Sequence, residues 1–229
     1  MATPNAYTKA QNGAVALAMR DLERVWRSLD MSDPYAAARV LEGVWAELIG
    51  LYGEVTATLA ADRFEDLTGL PAVMVRPVDP ERAESRMRWA VGPLFDGDGD
   101  AWARLVLLVD ELVKQPGRST MIRSAREHGI RYARVPVGDT CAFCLMLASR
   151  GAVYATEKSA GRKNSGNEFH GDCDCDVQPV KTDSDLDRLR GEGYDPDALR
   201  EQYLDARKAA DSGSTKAILA TLREQASTN

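Results

Sequence analysis

The sequence predicts an α+β protein that is mostly α, with a small metal-stapled module of short strands set among helices. Three observations lead there. Apolar residues recur three and four apart through most of the chain, the period of a helix with one buried face. Strand-like alternation is confined to the stretch between Tyr132 and Val180. All 4 cysteines of the 229-residue chain fall between Cys141 and Cys175, and His170, one of its 2 histidines, lies in the same window.

Residues 7 to 29 place Val15, Ala18, Leu22, Val25, Trp26 and Leu29 on one helical face. Residues 33 to 67 repeat the pattern with Leu41, Trp45, Leu48, Tyr52, Val55 and Leu59. Asp33-Pro34 opens the second helix with a capping carboxylate, followed by a ring pre-set for the first helical position. The short link around Asp30 to Ser32 makes the two helices antiparallel neighbours. The run GLPAVMVRPVDP, Gly69 to Pro80, breaks the helix and is a linker with a short extended piece at Val73 to Val75. Asp79-Pro80 starts a helix that ends near Gly92-Pro93. The DGDGD loop at Asp96, Asp98 and Asp100 resembles the opening of a calcium loop. Ala101 stands where that loop needs glycine and Leu107 where it needs glutamate, so the expectation is an acidic loop with Asp100 as helix cap. The following helix carries Trp102, Leu105, Val109 and Leu112 and is expected to end at Pro116-Gly117, with another running from Ser119 or Thr120 to Gly129.

From Tyr132 the period changes. Tyr132 to Val137, Ala152 to Ala155 and Val177 to Val180 read as short strands, and Pro136 and Pro179 make any sheet small and edge-like. Thr156 to Glu168 is polar and reads as a loop. Helices return after Asp183, at Asp195-Pro196 and from Thr215 to Ala226. The division is therefore 1–69, an N-terminal helical hairpin; 70–135, linker and helical region; 136–182, a zinc module with short strands; and 183–229, a C-terminal helical tail.

The formal charge of −6 disfavours a general DNA binder, so weak or no DNA binding is expected. No apolar run approaches the roughly 20 residues of a membrane span, and MATPNAYTKAQNG has no basic segment leading into an apolar one, so neither a membrane anchor nor a secretory leader is expected. Arg118, Arg123, Arg126, Arg131 and Arg134 cluster as a partner-binding patch or a solvated face. An acidic run, Asp172, Asp174, Asp176, Asp183, Asp185 and Asp187, is a solvated face, a second docking patch or an internal contact with those arginines.

The chemistry-bearing pattern is C-A-F-C at Cys141 and Cys144, followed by H-G-D-C-D-C at His170, Cys173 and Cys175. A C-x-x-C pair bends around one ion, with backbone amides donating to the sulfurs, and a second pair from a distant segment closes the tetrahedron. Soft thiolates with one imidazole suit zinc. Four of the five residues are the expected ligands of a structural zinc. Disulfides pairing Cys173 or Cys175 with Cys141 or Cys144 are the alternative. Zinc deaminases place H-x-E before P-C-x-x-C, the reverse of the order here. A Cys–His dyad would lack an orienting third group. There is no phosphate-cradling glycine loop and no G-x-S-x-G, so no small-molecule substrate and no catalytic residue is assigned, and the expectation leans away from an enzyme.

The run GDTCAFCLMLASRGAVY, a polar loop, and then FHGDCDCDVQPV resembles the Mu F-like head morphogenesis proteins of tailed bacteriophages, in the version found in phages of actinobacteria. The matching residues are Cys141, Cys144, His170, Cys173 and Cys175, and the resemblance covers roughly residues 100 to 181. It implies a minor capsid protein of the virion, assembled in the host cytoplasm and associated with the portal protein inside the head near the portal vertex. The major capsid and scaffolding proteins are further candidate partners. Some actinophage relatives are described as capsid maturation proteases, which is the alternative function, and a zinc module that binds nucleic acid through the arginine patch is a third. The portal contact is expected through the N-terminal helices, with Trp26, Trp45, Tyr52 and Trp102 as candidate anchors, each more readily placed in the core.

Overall fold

The computed structural model describes residues 4–97, 99–138, 141–153 and 175–227. Among them the chain is mainly helical with one two-stranded antiparallel sheet, the α+β, mostly α class. It divides into two compact units, Ala6–Arg123 and a second from Ser124 onward.

The first unit opens on the hairpin. Helix α1 (Ala6–Arg27) packs along α2 (Pro34–Thr68), and the Asp33 carboxylate caps α2 by accepting from the Ala36 amide at 2.9 Å. The chain leaves α2 at Gly69, whose left-handed φ of 66° ends the helix. Residues 71–79 form no strand: the Val75 amide is taken by the Thr120 hydroxyl at 2.9 Å instead of a ladder partner. Asp79 caps α3 (Pro80–Ala90), a single turn α4 follows (Pro93–Asp96), and α5 spans Ala101–Glu127. Asp100 accepts from the Ala103 amide at 3.1 Å, the capping role expected of it, while Asp98 lies outside the described residues. The core of this unit joins Leu22, Leu41, Trp45, Ile49, Met87 and Leu105, and the Trp45 indole donates to the Ala83 carbonyl at 2.9 Å.

The helix break expected at Pro116-Gly117 does not occur; both residues sit inside α5. The reason is tertiary. A Cβ on Gly117 would lie 2.7 Å from the Thr56 carbonyl oxygen, so α5 passes α2 at a distance only glycine permits. The Pro116 ring fills the matching space over Gly53, where an added Cβ would meet it at 3.2 Å. Proline withdraws one N–H from the helix ladder, and the Thr56 hydroxyl donates to the nearby Val113 carbonyl at 2.5 Å. Close packing and a cross-helix bond offset the local penalty.

The hairpin also carries a charge-assisted bond: the Tyr52 hydroxyl of α2 donates to the Asp21 carboxylate of α1. That bond, aided by Arg24 and Arg20 against a burial effect of opposite sign, holds the Asp21 carboxyl below its ordinary 3.8. The same bond, with burial, raises the Tyr52 hydroxyl above 10.0. Ionised Asp21 therefore stabilises the fold above the unfolded carboxyl value, and this is lost as pH falls through the lowered folded value. Tyr52 contributes below pH 10.0 and loses its contribution as pH rises through its raised value. Tyr52→Phe is expected to cost about 1 kcal/mol near neutrality, because the pair is only half-buried. Melting curves of both proteins should converge on acidification below pH 3.8; a gap that persists there would assign the cost to packing instead.

In the second unit, β1 (Arg131–Pro136) pairs with β2 (Cys175–Val180), Arg131 opposite Val180 and Pro136 opposite Cys175. With two strands among the described residues, each is an edge of the sheet they form, and each accommodates a proline. No strand forms at Ala152 and Val153, and the rest of that expected strand lies outside the described residues. Helix α6 (Ala142–Ala148) lies between the strands in sequence; α7 (Asp183–Gly191), α8 (Pro196–Ala209) and α9 (Thr215–Ser227) follow. Ala133, Val135, Val137 and Val180 of the sheet pack with Ala148, Leu189 and Tyr194. Ala142, Met146 and Leu147 pack with Ala206, Ile218 and Leu222.

Candidate metal centre

The CxxC segment opens α6. Gly138 takes a left-handed turn after β1 (φ 66°), and Cys141 arrives extended as the residue that caps the helix. Its sulfur accepts the backbone amide of Cys144 at 3.5 Å, the amide-to-sulfur contact that lets a C-x-x-C pair face one point. Apolar contacts from α8 and α9 hold Ala142, Met146 and Leu147, so the helix that carries the pair is fixed in place. Cys144 is buried, 1% exposed, and Cys141 is half-buried.

Cys175 is the first residue of β2 and is also buried. Strand alternation places it on the same sheet face as Arg134 and Val177, which oppose each other. No disulfide joins Cys141, Cys144 and Cys175 to one another. Among the described residues no three His, Cys, Asp or Glu side chains group so as to hold an ion on their own. Two of the five expected ligands, His170 and Cys173, lie outside the described residues. The CxxC turn supplies two thiol donors, half of a tetrahedral set, with a cation beside it.

That cation is Arg134. It is 0% exposed, and its Nη2 donates to the Cys144 sulfur at 3.9 Å. The arginine cluster, expected as a partner-binding patch, a solvated face or an internal contact with the acidic run, is not one surface patch. Arg134 and Arg118 are buried, while Arg123, Arg126 and Arg131 are exposed. Arg134 is buried because both faces of β1 are covered from Tyr132 to Pro136, and Arg118 because helix phase in α5 turns it inward. Arg126 lies beside Tyr132, whose hydroxyl burial pushes up and Arg126 pulls partly back. Asp176, expected in an acidic run, is buried too; its carboxylate accepts from Gln178 Nε2 and from the Val177 amide, each at 2.7 Å. Asp183, Asp185 and Asp187 are half-buried or exposed at α7, where Asp185 completes the cap with Thr182, and Asp172 and Asp174 lie outside the described residues.

The four aromatic candidates lie in or against the core, the placement expected of them over an interface. Trp45 is fully buried, Trp26 and Trp102 lie half-buried against the core with ring centroids 5.4 Å apart and planes tilted by 43°, and Tyr52 is bonded to Asp21. The exposed aromatics of the first unit are others: Tyr35 at 69% and Trp89 at 62%, with Phe95 against Tyr35, ring centroids 5.0 Å apart. Tyr35, Ala38, Arg39, Met87, Val91 and Phe95 line a shallow groove there. A helical stripe was legible in the sequence, but residues off it, such as Tyr35 and Trp89, carry no signal of apolar exposure. No helix among the described residues is long and apolar enough to cross a membrane.

Comparison with curated proteins and with solved structures returns no match. The profile of the VG15 protein family matches residues 2–206, from the N-terminal hairpin into α8. With nine-tenths of its length matched, the chain belongs to the VG15 protein family, a family of bacteriophage proteins.

Proposed function

We propose that the protein is a minor capsid protein of the Mu F-like, head-morphogenesis kind, docked to the portal inside the head of a tailed phage and carrying a structural zinc module. The observation that carries this reading is the CxxC turn, with the Cys144 amide on the Cys141 sulfur, in a chain of a phage protein family. Four of Cys141, Cys144, His170, Cys173 and Cys175 hold the ion. The zinc ties the segment before β2 to the start of α6, and it fixes a small module that carries little apolar surface of its own. Docking falls to the first unit, whose exposed Tyr35, Trp89 and Phe95 have the chemistry of interface anchors. Arg123, Arg126 and Arg131 offer the polar contacts.

The test is capture of the portal protein by the full chain. Deleting residues 1–69 would remove Leu22, Leu41 and Trp45 from the core, so surface substitutions are the sharper probe. Joint replacement of Tyr35, Trp89 and Phe95 by alanine is expected to weaken capture by at least tenfold, with Arg123, Arg126 and Arg131→Glu giving a smaller, salt-dependent loss. Undiminished capture by both variants defeats the assigned surface, and absence of capture by the wild-type chain defeats the portal partner. Trimming of the major capsid chain on co-expression, abolished by Cys144→Ser in a folded protein, would replace this reading with a maturation protease. Salt-sensitive DNA retention by the isolated chain would favour the nucleic-acid reading.

A further inference from the structure

We propose that Arg134 is the buried counter-charge of the metal centre: its guanidinium donates to the Cys144 thiolate and offsets the net negative charge of the zinc–thiolate group, and so sets how tightly the ion is held. The inference rests on the zinc reading above and adds to it a residue outside the ligand pattern.

The charge arithmetic motivates it. The pattern offers one histidine and four cysteines, so any four ligands include at least three thiolates. One divalent ion with three thiolates sums to −1, and with four to −2. Such a group removed from water requires a positive neighbour or a dense set of donors. Arg134 is 0% exposed, which is rare for an arginine side chain. Its Nη2 lies 3.9 Å from the Cys144 sulfur, within reach for the larger sulfur atom. Strand register sets Cys175 opposite Pro136, two residues beyond Arg134 on the same face, so a second cysteine is its diagonal neighbour. The guanidinium also presents several N–H groups in a fixed plane, so it can donate to one sulfur while keeping other contacts. Arg134 is a positioning residue: it touches a ligand, not the ion.

The experiment measures zinc affinity of the full chain under reducing conditions by competition with a chromophoric chelator, alongside the absorption of the cobalt(II)-substituted protein. The proteins are wild type, Arg134→Met, Arg134→Lys and, as a ligand-loss control, Cys144→Ser. Arg134→Met is expected to bind zinc about 10- to 100-fold more weakly, the range for loss of a partner to a metal ligand. Arg134→Lys, which keeps the charge, should lose less than about tenfold. The sulfur-to-cobalt band of Arg134→Met should shift, because one Cys144 sulfur has lost its donor; a variant that is merely less stable would show a smaller band at an unchanged position. If Arg134→Met does not fold, Arg134→Gln, which keeps a polar donor without the charge, takes its place: a loss of about tenfold or more supports the role, and affinity equal to wild type overturns it. Equal affinity in wild type and folded Arg134→Met overturns the counter-charge role and leaves the zinc centre standing. A wild-type chain that takes up no zinc overturns the metal reading itself.

Discussion

Gly117→Ala is expected to destabilise the Ala6–Arg123 unit by about 2–4 kcal/mol, although alanine is the better helix former by about 1 kcal/mol. The added Cβ would lie 2.5 Å from Gln11 Nε2, 2.7 Å from the Thr56 carbonyl oxygen and 3.2 Å from its carbon. The glutamine end can swing away, but the α2 backbone cannot. Relieving the clash moves α5 off α2, lengthening the Thr56–Val113 bond and opening the Pro116–Gly53 contact. Gly50→Ala is the control: it lies within α2 with nothing within 4 Å of an added Cβ, so it should be neutral or gain up to about 1 kcal/mol. Urea unfolding followed by tryptophan fluorescence reads this unit alone, since Trp26, Trp45, Trp89 and Trp102 all belong to it. A Gly117→Ala protein as stable as Gly50→Ala would show that the two helices do not approach as closely as described.

The features legible in the sequence were those fixed locally. Asp33-Pro34, Asp79-Pro80 and Asp195-Pro196 each start a helix because the capping carboxylate and the proline ring act within a few residues, and all three do so here. Short strands at Tyr132 to Val137 and Val177 to Val180 were readable from the change of period, though not their antiparallel pairing, and the turn at Cys141 from C-x-x-C spacing. Features that depend on distant partners were not. Proline and glycine at 116 and 117 signal a break by every local rule, and only the passage of α2 reverses that signal. A run of arginines reads as solvated because charge is ordinarily exposed; nothing local marks Arg134 as the one that turns to a sulfur ten residues away across a strand, a turn and a helix. Alternation in β1 points the other way, since it sets Arg134 on the face opposite Ala133 and Val135; Arg134 is buried because the second face of the strand, shared with Cys175 and Val177, is covered too.

On the zinc reading proposed above, removal of the ion is expected to have the largest effect of all, and to fall on the second unit. Its apolar clusters are modest: Ala133, Val135, Val137, Ala148, Val180, Leu189 and Tyr194 in one, and Ala142, Met146, Leu147, Ala206, Ile218 and Leu222 in the other. A two-stranded sheet is marginal in water by itself. Structural zinc sites in small modules contribute an apparent ~10–16 kcal/mol near pH 7, as much as the whole stability of an ordinary domain. Chelation in reducing buffer should therefore lower the melting temperature of this unit by more than about 10 °C or unfold it outright. The helical circular dichroism of α6 to α9 should fall, while the tryptophan fluorescence of the first unit holds, because that unit has its own core around Trp45 and Leu105. Acidification should mimic the chelator, since thiolate and imidazole ligands take up protons as the ion leaves. The outcome that sinks this is a chelated chain whose melting profile and circular dichroism match those of the untreated protein: the Tyr194 hydroxyl bond to the Ala148 carbonyl, at 2.8 Å, and the two apolar clusters would then be sufficient to hold the module.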